Sequence, residues 1–83
     1  MSHPRQTELY DFLRSQIAER TRLAESDVSN DAVLVELGLQ SIDAVLMCGE
    51  VEDHFGIEMD PATVFEHKTL ESFAQFVLRK MAA

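Results

Sequence analysis

Few residues in this sequence carry side chains suited to chemistry, and most of them can be set aside. Ser41 offers a hydroxyl, Cys48 a thiol seven residues later, and His3, His54 and His67 three imidazoles. A nucleophilic serine needs a base held beside it, and no histidine or lysine is positioned by the sequence to activate Ser41. A reactive cysteine prefers electropositive surroundings, yet Cys48 lies in an acidic stretch, so a half-buried packing role is expected. The histidines lack the i, i+4 pairing of a helical metal site and read as surface residues, with His54 placed to brush a partner. The segment starting at Asp27 has the outline of a calcium loop. Ala32, however, stands where glycine is required, and Gly38 where the bidentate glutamate belongs. What remains is Ser41 itself. At a helix start, free backbone N–H groups and the helix dipole favour a bound or attached phosphate. An ordinary serine N-cap would occupy the same position, and position alone leaves both readings open.

The elements that must present Ser41 are helical. Apolar residues recur at spacings of three and four, and only three glycines and two prolines interrupt the chain. A first helix is expected from about Arg5 to Ala18, with Leu9, Phe12, Leu13 and Ile17 on one stripe. A long connection follows, from about Glu19 to Gln40, with anchors at Leu23, Val28, Val33, Leu37 and Leu39. Within it Asp31 is expected to cap a short helical turn that ends at Gly38. The second helix should open near Ser41 and close near Phe55, before Gly56, with Met47, Val51 and Phe55 facing the core. Asp60 and Pro61 read as an N-cap and a first helical residue, opening a short third helix through Glu66. Thr69 caps the last helix, whose buried stripe is Leu70, Phe73, Ala74, Val77, Leu78 and Met81. The fold class is all-α: three main helices plus one short helix, with a long loop between the first and second.

At 83 residues the chain is expected to be one domain, residues 1–83, with too small a core to wrap a substrate deeply. One cysteine excludes an internal disulfide framework and a cysteine-rich zinc site. No apolar run is long enough to span a membrane, and the polar start lacks the apolar core of a secretion signal. A cytoplasmic, monomeric protein is therefore expected. The net charge of −8 is unevenly spread: no Lys or Arg occurs between Leu23 and His67, a stretch with eleven acidic residues. Such a field repels nucleic acid and anionic membranes and attracts basic protein surfaces. Solubility alone would not require one segment to exclude basic residues. Ile42 and Leu46 project opposite the core stripe of the second helix, beside Asp43, Glu50 and Asp53. Exposed apolar residues flanked by charge suggest a docking surface, most clearly for Leu46; for Ile42, contact with the long loop competes.

The local sequence adds what spacing cannot. Leu37-Gly38-Leu39-Gln40-Ser41-Ile42-Asp43 resembles the modification site of the acyl and peptidyl carrier protein family, which has Gly, an apolar residue, Asp, Ser, then Leu or Ile. The order of elements resembles the family over nearly the whole chain. The segment from Pro61 to Leu70 is similar to the region joining the last two helices in carriers of polyketide and non-ribosomal peptide pathways. Two departures stand out. Gln40 replaces the usual Asp, a poorer cap without charge, and leaves open which transferase accepts the chain. Lys68 replaces a frequent proline, which is expected to loosen the link between the third and fourth helices.

The resemblance implies an acyl carrier protein, not an enzyme. A 4′-phosphopantetheine arm would be joined covalently to Ser41 from coenzyme A by a phosphopantetheinyl transferase using a metal ion. Acyl or aminoacyl intermediates would then be held as thioesters. Gly38, Leu39, Gln40, Ile42 and Asp43 would form the recognition motif. Partner enzymes would dock at Leu46, Glu50 and Asp53: a loading ligase or acyltransferase, then ketosynthase, condensation or tailoring enzymes. The features at Gln40, Leu46 and Pro61–Leu70 point to specialised polyketide or non-ribosomal peptide biosynthesis. A carrier of primary fatty-acid synthesis is the alternative, although such carriers tend to be acidic at the position of Leu46. An unmodified acidic adaptor binding a partner helix through Ile42 and Leu46 is another. A freestanding chain is expected rather than an excised module.

Overall fold

Residues 4–82 are described in the computed structural model, and the order of elements is α1 (Gln6–Thr21), α2 (Ser41–Phe55), α3 (Ala62–Glu66) and α4 (Leu70–Ala82). Two short 3₁₀ turns, Glu25–Asp27 and Leu34–Leu37, punctuate the α1–α2 connection. The expected all-helical bundle of three main helices and one short one is therefore observed. His3 lies outside the described residues.

Helix α1 starts one residue later than expected, because Arg5 is its N-cap and accepts the Leu9 N–H at 2.9 Å. It also runs nearly one turn past Ala18. Nothing between Glu19 and Thr21 breaks a helix, and the Thr21 hydroxyl donates back to the Ile17 carbonyl at 2.7 Å. Termination falls to Arg22, which takes the left-handed conformation at φ 61°. The predicted stripe packs inward: Leu9, Leu13 and Ile17 are fully buried, and Phe12 flanks the core.

The connection between α1 and α2 is fastened to both neighbouring helices. Arg14 Nε donates to the Val28 carbonyl at 2.7 Å, and its guanidinium also bonds Asn30 Oδ1. Further on, the loop pairs with the start of α4. Leu34 N–H donates to the Lys68 carbonyl at 2.9 Å, Leu70 N–H to Ala32 at 3.1 Å and Glu71 N–H to Asn30 at 2.8 Å, around an antiparallel bridge between Val33 and Thr69. First-turn N–H groups of a helix have no partner within the helix, and here loop carbonyls satisfy two of them. This pin uses the backbone carbonyl of Lys68, a group that lysine and proline share.

Other loop expectations need correction. Asp31 caps nothing; its carboxylate accepts the Ser29 hydroxyl at 2.6 Å, and the second 3₁₀ turn starts after Val33 without a side-chain cap. Leu23 is a weak anchor at the surface, whereas Leu34, unpredicted, is fully buried, as is Val28. Gly38 does end the turn, at φ 96°, a left-handed conformation that favours glycine.

Helix α2 has the predicted bounds and buries Ala44, Met47, Cys48, Val51 and Phe55. Gly56 closes it at φ 67°, and the Glu52 side chain accepts the Met59 N–H at 2.9 Å, stitching the turn that follows. Helix α3 starts one residue later than expected, at Ala62 with Pro61 in the N-cap position; Pro61 has helical dihedrals and Asp60 Oδ1 accepts the Ala62 N–H at 3.0 Å, so the turn is already wound before the helix begins. Thr69 Oγ1 accepts the Ser72 N–H at 3.2 Å and caps α4. The α4 stripe is buried through Leu78, with Met81 half-buried at its end. Among the described residues no helix is long and apolar enough to cross a membrane.

Candidate functional site

The sequence leaves two roles open for Ser41, and the local geometry separates them. Ser41 is not the N-cap of α2. Gln40 holds that position in extended conformation, and its carbonyl accepts the Ala44 N–H at 3.1 Å. Asp43 Oδ2 in turn accepts the Gln40 backbone N–H at 2.9 Å, the reciprocal arm of a capping box. Ser41 is the first helical residue. Its side chain is exposed and has no hydrogen-bond partner among the described residues. The hydroxyl therefore does no capping, and no base hydrogen-bonds to it. It stands at the positive end of a 15-residue helix, where the first N–H groups lack intrahelical partners.

The surrounding motif explains this presentation. Leu39 is buried and Gly38 turns the chain, so the backbone dips into the core immediately before α2 and returns to the surface at Gln40 and Ser41. Leu39 at N′ and Ala44 at N4, 7% and 1% exposed, are placed as a hydrophobic staple that fixes the entry angle.

From Ser41 an exposed face runs down α2. Ile42 and Leu46 are 58% and 50% exposed, as their offset from the core stripe predicts. Val45, at 48%, belongs to the same face; its spacing of three residues from Ile42 is the signal by which the sequence could have placed it there. Glu50 and Asp53 continue the face as exposed acids. The helix surface thus changes from apolar beside the serine to anionic toward its far end. Val35 in the preceding 3₁₀ turn and Phe65 in α3 are further exposed apolar residues.

The remaining polar candidates serve the fold. Cys48 is buried, and its thiol is pushed up to about 11, first by burial and then by the Glu52 and Asp60 carboxylates. It stays protonated at neutral pH. His54 is exposed at the surface, as expected, and is also tied to α1: Nε2 lies 2.7 Å from Glu8 Oε2, and the ring stacks on Phe12 with centroids 4.5 Å apart. His67 pairs through Nδ1 with the Ser72 hydroxyl at 2.9 Å. Among the described residues no group of three or more His, Cys, Asp or Glu side chains is arranged to hold a metal ion.

Comparison with known proteins agrees with this architecture. Residues 11–77 match the family described as the phosphopantetheine attachment site. A phenolphthiocerol/phthiocerol polyketide synthase polypeptide of Mycobacterium tuberculosis is 34% identical over 76 residues, which are 92% of this chain and 4% of the synthase. Non-reducing polyketide synthase Preu6 of Preussia isomera is 43% identical over 63 residues, 76% of this chain and 3% of that protein. The chain thus spans a small fraction of these large relatives. Among solved structures, a free-standing peptidyl carrier protein of Acinetobacter baumannii superposes with a TM-score of 0.83 at 21% identity, covering 92% of this chain and 95% of that one. The chain belongs to the phosphopantetheine-attachment family of carrier proteins and carrier domains, which bear a phosphopantetheine prosthetic group.

Proposed function

We propose that the whole chain acts as one carrier unit and that Ser41 is where the phosphopantetheine arm is attached. The observation that carries this reading is the idle hydroxyl. Ser41 opens α2, is exposed, and leaves the capping work to Gln40 and Asp43. Among the described residues it alone of the serines is the first residue of a long helix. A phosphodiester at Oγ would meet the partial positive charge of the helix start and its unpaired N–H groups, so the residues present fit the group. When bound, the arm supplies a flexible terminal thiol on which acyl or aminoacyl groups are carried as thioesters.

The chain itself supplies an address and a tether and is not an enzyme. Tethering converts a search through solution into an encounter at high effective concentration. The address is the exposed face of α2: Ile42, Val45 and Leu46 as apolar contact, Glu50 and Asp53 as steering charges. These features suit a phosphopantetheinyl transferase, a loading ligase or acyltransferase, and then ketosynthase, condensation or tailoring enzymes. The likeness to polyketide synthases favours specialised polyketide or non-ribosomal peptide biosynthesis over primary fatty-acid synthesis. Digestion of the modified protein and tandem mass spectrometry test the assignment: the arm is expected on the peptide containing Ser41, and an arm on any other serine refutes it.

A further inference from the structure

We infer that Asp43 is the positioning residue that sets the Ser41 hydroxyl for modification, rather than a charge read by partners; this rests on the assignment of Ser41 above. The three acidic side chains on or beside the α2 face are not equivalent. Glu50 and Asp53 are exposed and have no hydrogen bond or ion pair among the described residues. Asp43 is half-buried and committed: Oδ2 accepts the Gln40 N–H at 2.9 Å. That bond closes a four-residue turn with Ser41 inside it. The other restraints on the turn come from the Ala44 N–H, which reaches the Gln40 carbonyl at 3.1 Å, and from Leu39 and Ala44, which are anchored in the core.

Ser41 contributes nothing to holding its own position, so its direction is set by these neighbours. Gln40 brings no carboxylate to the cap, and Asp43 supplies the carboxylate that orders the first turn. A free carboxylate beside a serine about to receive a phosphate would oppose the incoming negative charge. Hydrogen bonding to a backbone N–H at the positive end of the helix offsets part of that charge. The same bond therefore orders the turn and softens the repulsion.

Two substitutions separate positioning from charge recognition. Asp43→Asn keeps an acceptor for the Gln40 N–H and removes the charge; Asp43→Ala removes both. Each protein is checked for fold by circular dichroism. Transfer of the arm from coenzyme A by a broad-specificity transferase with magnesium is then followed by mass, and hydrogen exchange of the Gln40 amide by NMR. Loss of a helix cap corresponds to roughly a fivefold effect. For Asp43→Ala we expect about that loss in kcat, with KM little changed at any salt, and faster exchange at Gln40. Asp43→Asn should stay within about twofold of wild type in both measures. If Asn is as impaired as Ala, through a raised KM that salt abolishes, Asp43 acts as a recognition charge and the inference is overturned. It also fails if Ala matches wild type. A wild-type protein that takes no arm defeats the Ser41 assignment itself, and that outcome is distinct from failure of the Asn rescue.

Discussion

His54 Nε2 lies 2.7 Å from Glu8 Oε2, fastening the last turn of α2 to the first turn of α1. Hydrogen bonds from Arg5 first, and then from His54, hold the Glu8 carboxyl down at about 2, against an ordinary value of 4.5. A carboxyl lowered on folding stabilises the fold above its unfolded value, and that contribution is lost as pH falls through the folded one. Glu8→Gln is therefore expected to melt below wild type near neutral pH, with the gap closing between about pH 4.5 and 2. The gap should be small, because the pair is solvent-exposed. Thermal melts across that range check it; a gap that persists unchanged at the acid end contradicts the contact.

Leu34 and Val35 are neighbours with opposite environments, 0% and 61% exposed. Leu34 fills the core beneath the long connection while its N–H bonds the Lys68 carbonyl. Leu34→Ala should cost about 2–5 kcal/mol in urea unfolding, as buried leucine truncations do. Val35→Ala should stay within roughly 0.5 kcal/mol. Similar losses for the two would mean that the loop is not anchored as described.

The face of α2 makes a separate prediction about traffic with partner enzymes. Leu46→Ala, or reversal of both Glu50 and Asp53 to Lys, should lower partner kcat/KM by about three- to tenfold at low salt without moving the melting temperature. The charge-reversal loss should shrink above about 0.5 M salt, whereas the Leu46 loss should persist. Kinetics untouched at low salt would exclude this face as the docking surface.

Much of this was legible before the structure. The bounds of α2, the cap at Thr69, the turn at Gly38 and the exposure of Ile42 and Leu46 all follow from local rules: 3.6-residue periodicity, capping chemistry and glycine at positive φ. The failures share a different cause. Asp31 looked like a cap because the residue type suits one, but a nearer hydroxyl on Ser29 takes its carboxylate. The surface position of His54 was legible, but its contacts were not, because Glu8 and Phe12 lie more than forty residues away in sequence. Leu34 rather than Leu23 anchors the loop because pairing with α4 selects which leucine turns inward. At the site, residue types could not distinguish a serine that caps a helix from one that leaves capping to others. That distinction depends on the Gln40–Asp43 hydrogen bond.

Attachment of the arm at Ser41 can be read from intact mass. The purified protein and its Ser41→Ala variant are incubated with coenzyme A, magnesium and a broad-specificity phosphopantetheinyl transferase, and their intact masses are recorded. One added arm is expected on the wild-type chain and none on Ser41→Ala, with equal melting temperatures for the unmodified pair, since the hydroxyl has no hydrogen-bond partner among the described residues. An arm that still appears on the Ala variant, or a wild-type chain left unmodified by several transferases, contradicts attachment at Ser41.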